Sequence, residues 1–315
     1  MQSNTKITFA SANLFNFLSP PSAFYEFDNI YDNDAWRGKC HWTSNTLLAL
    51  NADIIALQEV FSLTETKQLF IDMGYPFFAT VDTAHIEQEY IYTHPVVAIA
   101  SKFPIVQVEA LECNLALTRG YSLPQAAFSR TPLRAIINVP AIGEICVYVC
   151  HLKSQRPTDS EENEQHSPLI GSWVSSQQRS LEALMLRLLM EEYYANHPIP
   201  TVLMGDMNQT LQSDTSGWLT KPMGVASERL QLKDSWDIFT HHEEKQRPAT
   251  HYHFAKGNVL DYILLSQEFH VGSPFCCFDV IDITVQDKHL INPSYEIDKY
   301  ASDHAFIATT VEAYF

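Results

Sequence analysis

Eight short runs of this sequence read as strands, several of them apolar at every position, and that continuity limits the fold more than any other feature. They lie at residues 7–13, 53–57, 96–100, 133–139, 145–150, 201–205, 260–265 and 305–311, and most are rich in Val and Ile. A strand with one wet face alternates polar and apolar residues. A strand apolar throughout has both faces covered. Amphipathic helices are expected over 42–50, 63–73 and 173–194. In the last, Leu181, Leu184, Met185, Leu188 and Leu189 share one face, with Arg179, Glu182 and Arg187 directed elsewhere. The polar, acidic stretch 156–171 ahead of it reads as an exposed loop. With no repeat and no Pro/Gly/Ser linker, residues 1–315 are expected to form one α/β domain of two sheets with covering helices.

Composition removes some classes of function. Hydrophobic residues make up 46% of the chain, yet no window approaches the ~18 consecutive apolar residues of a membrane span. The first residues hold a single Lys and no stretch of signal-peptide length, so a cytoplasmic protein without stable membrane association is expected. The six cysteines show no framework spacing and no C-x-x-C pair, which favours reduced thiols over disulfides or a zinc site. Twenty basic against 37 acidic side chains give a net charge of −17. That balance opposes non-specific coating of nucleic acid, while leaving room for a nuclease whose cations line one cleft.

Chemistry gathers where the apolar runs stop. "VLMGDMNQT" ends on Asp206 and Asn208, "ITFASANLFN" on Asn13 and Asn16, "DIIALQEV" on Gln58 and Glu59, and "ICVYVCHLKS" on His151 and Lys153. Asp261 opens "DYILL", and Asp303 and His304 precede the last run. Taken singly, Asp206–Asn208 is an ordinary turn pair and Glu59 an ordinary helix cap. Together they occupy the place where α/β sheets bind ligands, beyond the strand ends.

The segments "NLFN", "LQEV", "HLKS", "GDMN", "LDYI" and "SDHAF", in that order, resemble the endonuclease/exonuclease/phosphatase superfamily, and the likeness runs from Asn13 to His304. The resemblance implies a four-layered α/β sandwich, two mixed sheets packed face to face with helices outside. It implies phosphoester hydrolysis with Mg²⁺ or Mn²⁺ near Glu59, Asn13 and Asp303, hard oxygen donors suited to such an ion. Asp206 and Asn208 match the pair that orients the attacking water. His304 matches a histidine facing the phosphate, Asp261 the acid behind it, and His151 a second histidine that donates to the phosphate or leaving oxygen. Arg130, Lys153 and Asn208, with Asn13, are candidates for substrate contact. His151 stands where abasic-site enzymes of this group carry Tyr, which turns the reading towards deoxyribonuclease-like or sphingomyelinase-like members.

Two positions depart from the pattern: His94 lies near a usual substrate-contacting Asn, and Gln209 where an acid is frequent. His41, His241, His242, His251 and His253 are expected to be surface or packing residues. A nuclease-like phosphodiesterase is the leading expectation, with a phosphomonoesterase or phospholipid head-group hydrolase as the alternative. The expected partner is a phosphoester substrate, nucleic acid among the candidates, and no obligatory protein partner is evident.

Overall fold

The computed structural model describes residues 5–121, 123, 127–159, 167–222, 229–239 and 246–314, so His241 and His242 lie outside the described residues. Two six-stranded mixed sheets form. The first runs in the order Phe278–Gln286, Phe306–Ala313, Lys6–Phe17, Ile54–Val60, Val96–Ser101, Phe77–Ala79. The second runs Lys233–Asp234, Asp261–Leu265, Thr201–Asp206, Gly143–His151, Leu133–Val139, Ile105–Ala110. Each has one parallel pair near its middle: Lys6–Phe17 beside Ile54–Val60, and Gly143–His151 beside Thr201–Asp206.

The uninterrupted apolar runs are explained by a period of two that serves two cores. Ile54 and Ala56 point between the sheets, where they meet Val147, Val149, Val202 and Met204 from the facing sheet. Ile55 and Leu57 point outward, against Trp42 and Leu47 of helix α1 (Asn33–Leu50) and Phe70 of helix α2 (Leu63–Asp72). On the other side Cys146, Tyr148 and Leu203 meet Ala183, Leu186 and Met190 of helix α3 (Ser167–Asn196). Helix, sheet, sheet and helix give the four layers. Among the described residues no helix is long and apolar enough to cross a membrane, and all six cysteines are unbonded.

Three expectations need correction. Helix α1 starts at Asn33 rather than 42, because Asp32 caps it by accepting from the Asp34 and Ala35 amides at 2.9 and 2.7 Å. Helix α3 spans 30 residues, so 167–171, read as loop, are already helical. The leucine face read for it is not the one on the sheet: Ala183, Leu186 and Met190 meet the second sheet, and Arg179, Glu182 and Arg187, off the expected face, are buried too, because loops cover the helix as well. Arg187 pairs with Glu191 at 2.8 Å, and Glu182 holds two loops, as described next.

Candidate active site

The same period of two builds the site. Ile7 and Phe9 face the inter-sheet core, so Ser11 and Asn13 continue on that face; Ile54 and Ala56 lead to Gln58. In the second sheet Val149 leads to His151, Met204 to Asp206, and Ile263 back to Asp261. The interior therefore turns polar at one edge, where Asn13 pairs in register with Gln58, His151 with Asp206, and Asp206 with Asp261. Gly205 is required there: a Cβ on it would lie 1.9 Å from the Cys150 carbonyl oxygen. Glu59 has the wrong parity for this face. A break in strand register after Leu57 and a left-handed φ of +60° at Glu59 swing it back to the cleft.

Two hydrogen bonds join the sheets across the site. Asn13 Nδ2 donates to Asp206 Oδ2 at 3.2 Å, and His304 Nδ1 meets Asp261 Oδ2 at 2.9 Å. Asp206 is further held by the Asn208 amide (2.8 Å) and lies 3.4 Å from His151 Nε2 and 3.8 Å from His304 Nε2. Glu59 accepts from Asn13 Nδ2 at 3.3 Å and from the Asn16 amide at 2.9 Å. Ser302 Oγ donates to the Asn13 carbonyl and accepts from the His304 amide, tying the last strand to the first. Asn208, at φ +53°, donates through Nδ2 to the Leu152 carbonyl at 2.9 Å.

Burial sets the charges apart. It pushes the Asp206 carboxyl up to about 7, with the Asp261 and Glu59 charges adding to the rise and His304 opposing it. Burial alone would lower His304, but the Asp261 and Asp206 carboxylates outweigh it and hold the imidazole well above its ordinary value. His151 is driven well below its own by burial and by Arg130 and His304. The two imidazoles are thus driven in opposite directions within a few ångströms of the same acid.

All eight catalytic and metal candidates converge: Asn13, Glu59, His151, Asp206, Asn208, Asp261, Asp303 and His304. Asp303 is more open, with 44% of its side chain exposed, and its field reaches His304, Lys39 and Tyr31. Arg130 and Lys153 lie on the flank beyond His151. Arg130 donates to the Leu152 carbonyl at 3.3 Å, and its charge helps to lower the Lys153 ammonium after burial.

Hard oxygen donors suit a divalent cation here: Asn16 Oδ1 and Asp303 Oδ1 are buried atoms without a hydrogen-bond partner among the described residues.

Several site residues escape sequence reasoning. Glu182 of α3 accepts from the Ser129 and Lys153 amides, both at 2.7 Å, and so positions the loops that carry Arg130 and Lys153. Lys39 of α1 is buried, its Nζ 5.2 Å from the Phe15 ring centroid and 5.6 Å from that of Tyr31; burial lowers it to about 8 against the pull of Glu59 and Asp303. Tyr25 is raised to about 12 by burial and by Glu59, against the pull of Arg130. His251, expected to be surface or packing, is instead beside His304 with ring centroids 4.8 Å apart. The alternation of His251 and His253 in "ATHYHF" is the one sequence signal that sets both on the same strand face.

The sequence profile of the Endonuclease/Exonuclease/phosphatase family matches residues 42–304. A search of curated proteins finds no match. Among solved structures, the human Nocturnin catalytic domain with bound sulfate is similar at TM-score 0.61 and 15% identity, covering 99% of this chain and 98% of that one. A humanized D. rerio TDP2 gives 0.59 and 15%, covering 97% and 98%. An endonuclease/exonuclease/phosphatase from Beutenbergia cavernae gives 0.57 and 15%, covering 98% and 72%. With residues 42–304, most of its length, matched by the family profile, this chain belongs to the endonuclease/exonuclease/phosphatase family of phosphoester hydrolases.

Proposed function

We propose that the protein is a divalent-metal-dependent phosphodiesterase of nuclease type, and one observation carries the reading. Asp206, His304 and His151 share a buried edge, yet their proton affinities are driven in different directions. Asp206, titrating about pH 7, takes the proton of the attacking water, which Asn208 helps to orient. Cationic His304 offers Nε2 to a phosphoryl oxygen while Asp261 fixes its tautomer through Nδ1. His151, neutral, faces the phosphoryl or leaving oxygen. Glu59 and Asp303 would hold the cation, while Asn13, expected beside them, turns Nδ2 to Glu59 and gives Oδ1 to the Phe15 amide, and so orients that carboxylate. A Mg²⁺ or Mn²⁺ ion bound there would neutralise charge developing on the phosphoryl oxygens.

Arg130 and Lys153 receive the substrate's further phosphates. Arg156 adds a third charge on that flank, since it acts on both Lys153 and Tyr25. This cationic flank in a chain of net charge −17 favours a polyanionic substrate such as nucleic acid. The test is turnover of DNA, RNA and bis-p-nitrophenyl phosphate by purified protein with Mg²⁺, Mn²⁺ or EDTA. Hydrolysis with metal, lost in EDTA and rising through about pH 7, is expected; no turnover of any phosphoester would sink the proposal.

A second reading, phospholipid head-group cleavage, draws on Phe27 and Ile30, 67% and 44% exposed in the segment that carries Tyr25. Strong flotation with phosphatidylcholine or sphingomyelin vesicles would favour it over the nuclease. The proposal also takes residues 1–315 as one cytoplasmic domain acting without an obligatory partner, so limited proteolysis should find no stable subfragment.

A further inference from the structure

His251 lies next to the catalytic edge without a part in the chemistry above, and its surroundings have the makings of a second metal site. A lone antiparallel bridge pairs His251 with His304, and beside it the Thr250 carbonyl accepts from the Ala305 amide at 2.7 Å. Thr250 Oγ1 also accepts from the Leu260 and Asp261 amides at 2.9 and 3.1 Å, so the His251 backbone is anchored to the strand that carries Asp261. Cross-strand placement sets the two imidazoles side by side, tilted by 41° rather than stacked flat.

His304 spends Nδ1 on Asp261, which leaves Nε2 as the atom that can bind an ion once its proton is released. A carboxylate behind a histidine is the arrangement that orients a metal-binding imidazole. His251 Nε2 lies 3.9 Å from Asp303 Oδ2. One ligand atom from each of His251, Asp303 and His304 falls within 4.8 Å of the others. Two zinc bonds of about 2.1 Å at a tetrahedral angle span about 3.4 Å, so small side-chain rotations close the set. Asp303 Oδ1 is a buried atom with no hydrogen-bond partner among the described residues, while the Asp303 and His251 side chains are 44% and 23% exposed, open to an entering ion.

We propose that His251, Asp303 and His304 form a binding site for an imidazole-preferring transition ion of the zinc class, set apart by its two imidazoles from the oxygen donors around Glu59, with Asp303 shared between them: Oδ2 faces His251 and Oδ1 is left for the neighbouring ion. Imidazole nitrogens select zinc-like ions over Mg²⁺, which prefers carboxylate, carbonyl and water. Occupancy replaces the Nε2 proton of His304 with the ion and so removes the N–H that faces the phosphoryl oxygen, and such an ion inhibits the Mg²⁺-supported reaction. That second statement rests on the phosphoesterase reading; the binding statement does not.

The experiment titrates Mg²⁺-saturated protein with Co²⁺, read by visible absorption, and with Zn²⁺, read by calorimetry. One Co²⁺ per chain with the intense bands of four-coordinate cobalt is expected, displaced by Zn²⁺. His251→Phe and His251→Gln, checked for folding by circular dichroism, should each weaken Zn²⁺ binding about 10- to 100-fold or more. His253→Gln, at an exposed neighbour, should not. Zinc inhibition, measured against each protein's own rate without zinc, should weaken in parallel in the two His251 variants.

No four-coordinate cobalt spectrum, parental zinc affinity in a folded His251 variant, or loss of affinity on changing His253 would each overturn the site. Spectroscopy needs no turnover, so an inactive protein that binds cobalt through His251 would refute the phosphoesterase reading alone. An active one without the spectrum would refute this site alone.

Discussion

The two halves of the cleft are built differently. The wall formed by the second sheet is sealed: Asp206, Asp261 and His151 are 1%, 0% and 3% exposed, and each sits at a strand end in fixed register. The opposite wall, with Glu59, Asp303 and His251, is reached by a register break, a left-handed residue and a loop, and it is partly open. Burial is what separates proton affinities, whereas openness is what lets ions and substrate enter. The sealed wall is accordingly the place for proton transfer and the open wall the place for binding.

Substitutions can break this division. The largest expected effect is that of Asp206→Asn, which should lower turnover about 10³-fold by removing the base. The same change should stabilise the metal-free protein at pH 8. With its carboxyl raised from 3.8 to about 7, the contribution of Asp206 to stability is full below pH 4 and lost as pH rises through 7. Urea unfolding in EDTA should therefore show the variant ahead by about 1–2 kcal/mol at pH 8, narrowing towards pH 4. A less stable variant at pH 8 would contradict the sealed-wall account.

Glu59→Gln, on the open wall, should lower turnover about 10²-fold. Calorimetry should show weakened Mg²⁺ binding, with unfolding stability changed by less than about 0.5 kcal/mol. Asp261→Asn should cost about tenfold or more through the orientation of His304. It also removes the first carboxylate that holds His304 up, so the alkaline limb of the pH–rate profile should move to lower pH; an unmoved limb would separate Asp261 from the histidine. The smallest effect is expected from Arg130→Ala on the flank: KM for an oligonucleotide should rise about fivefold to tenfold with kcat nearly kept.

What was legible in the sequence follows the same division. Asn13, His151, Asp206 and Asp261 could be found because each ends an apolar strand, and parity along a strand is a local property. The layered fold was legible for the same reason, since fully apolar runs require two covered faces. Strand Phe278–Gln286 was not, because its edge position leaves Asp279 and Asp282 among half-buried neighbours and breaks the pattern. Glu182 was not found for a physical reason: the spacing of leucines along a helix does not say which residues meet loops arriving from elsewhere. His251 was passed over because alternation gives its face but not its cross-strand neighbour.

The two contacts that span the sheets, Asn13 to Asp206 and His304 to Asp261, also act as a clasp on the sandwich at that edge. Any motion that parts the layers there separates the base from its orienting amide and the imidazole from its carboxylate in one event. Catalytic competence in such a molecule is the first thing to go when the edge loosens, before secondary structure responds. Heat or mild denaturant will silence the enzyme while most of its backbone is still in place.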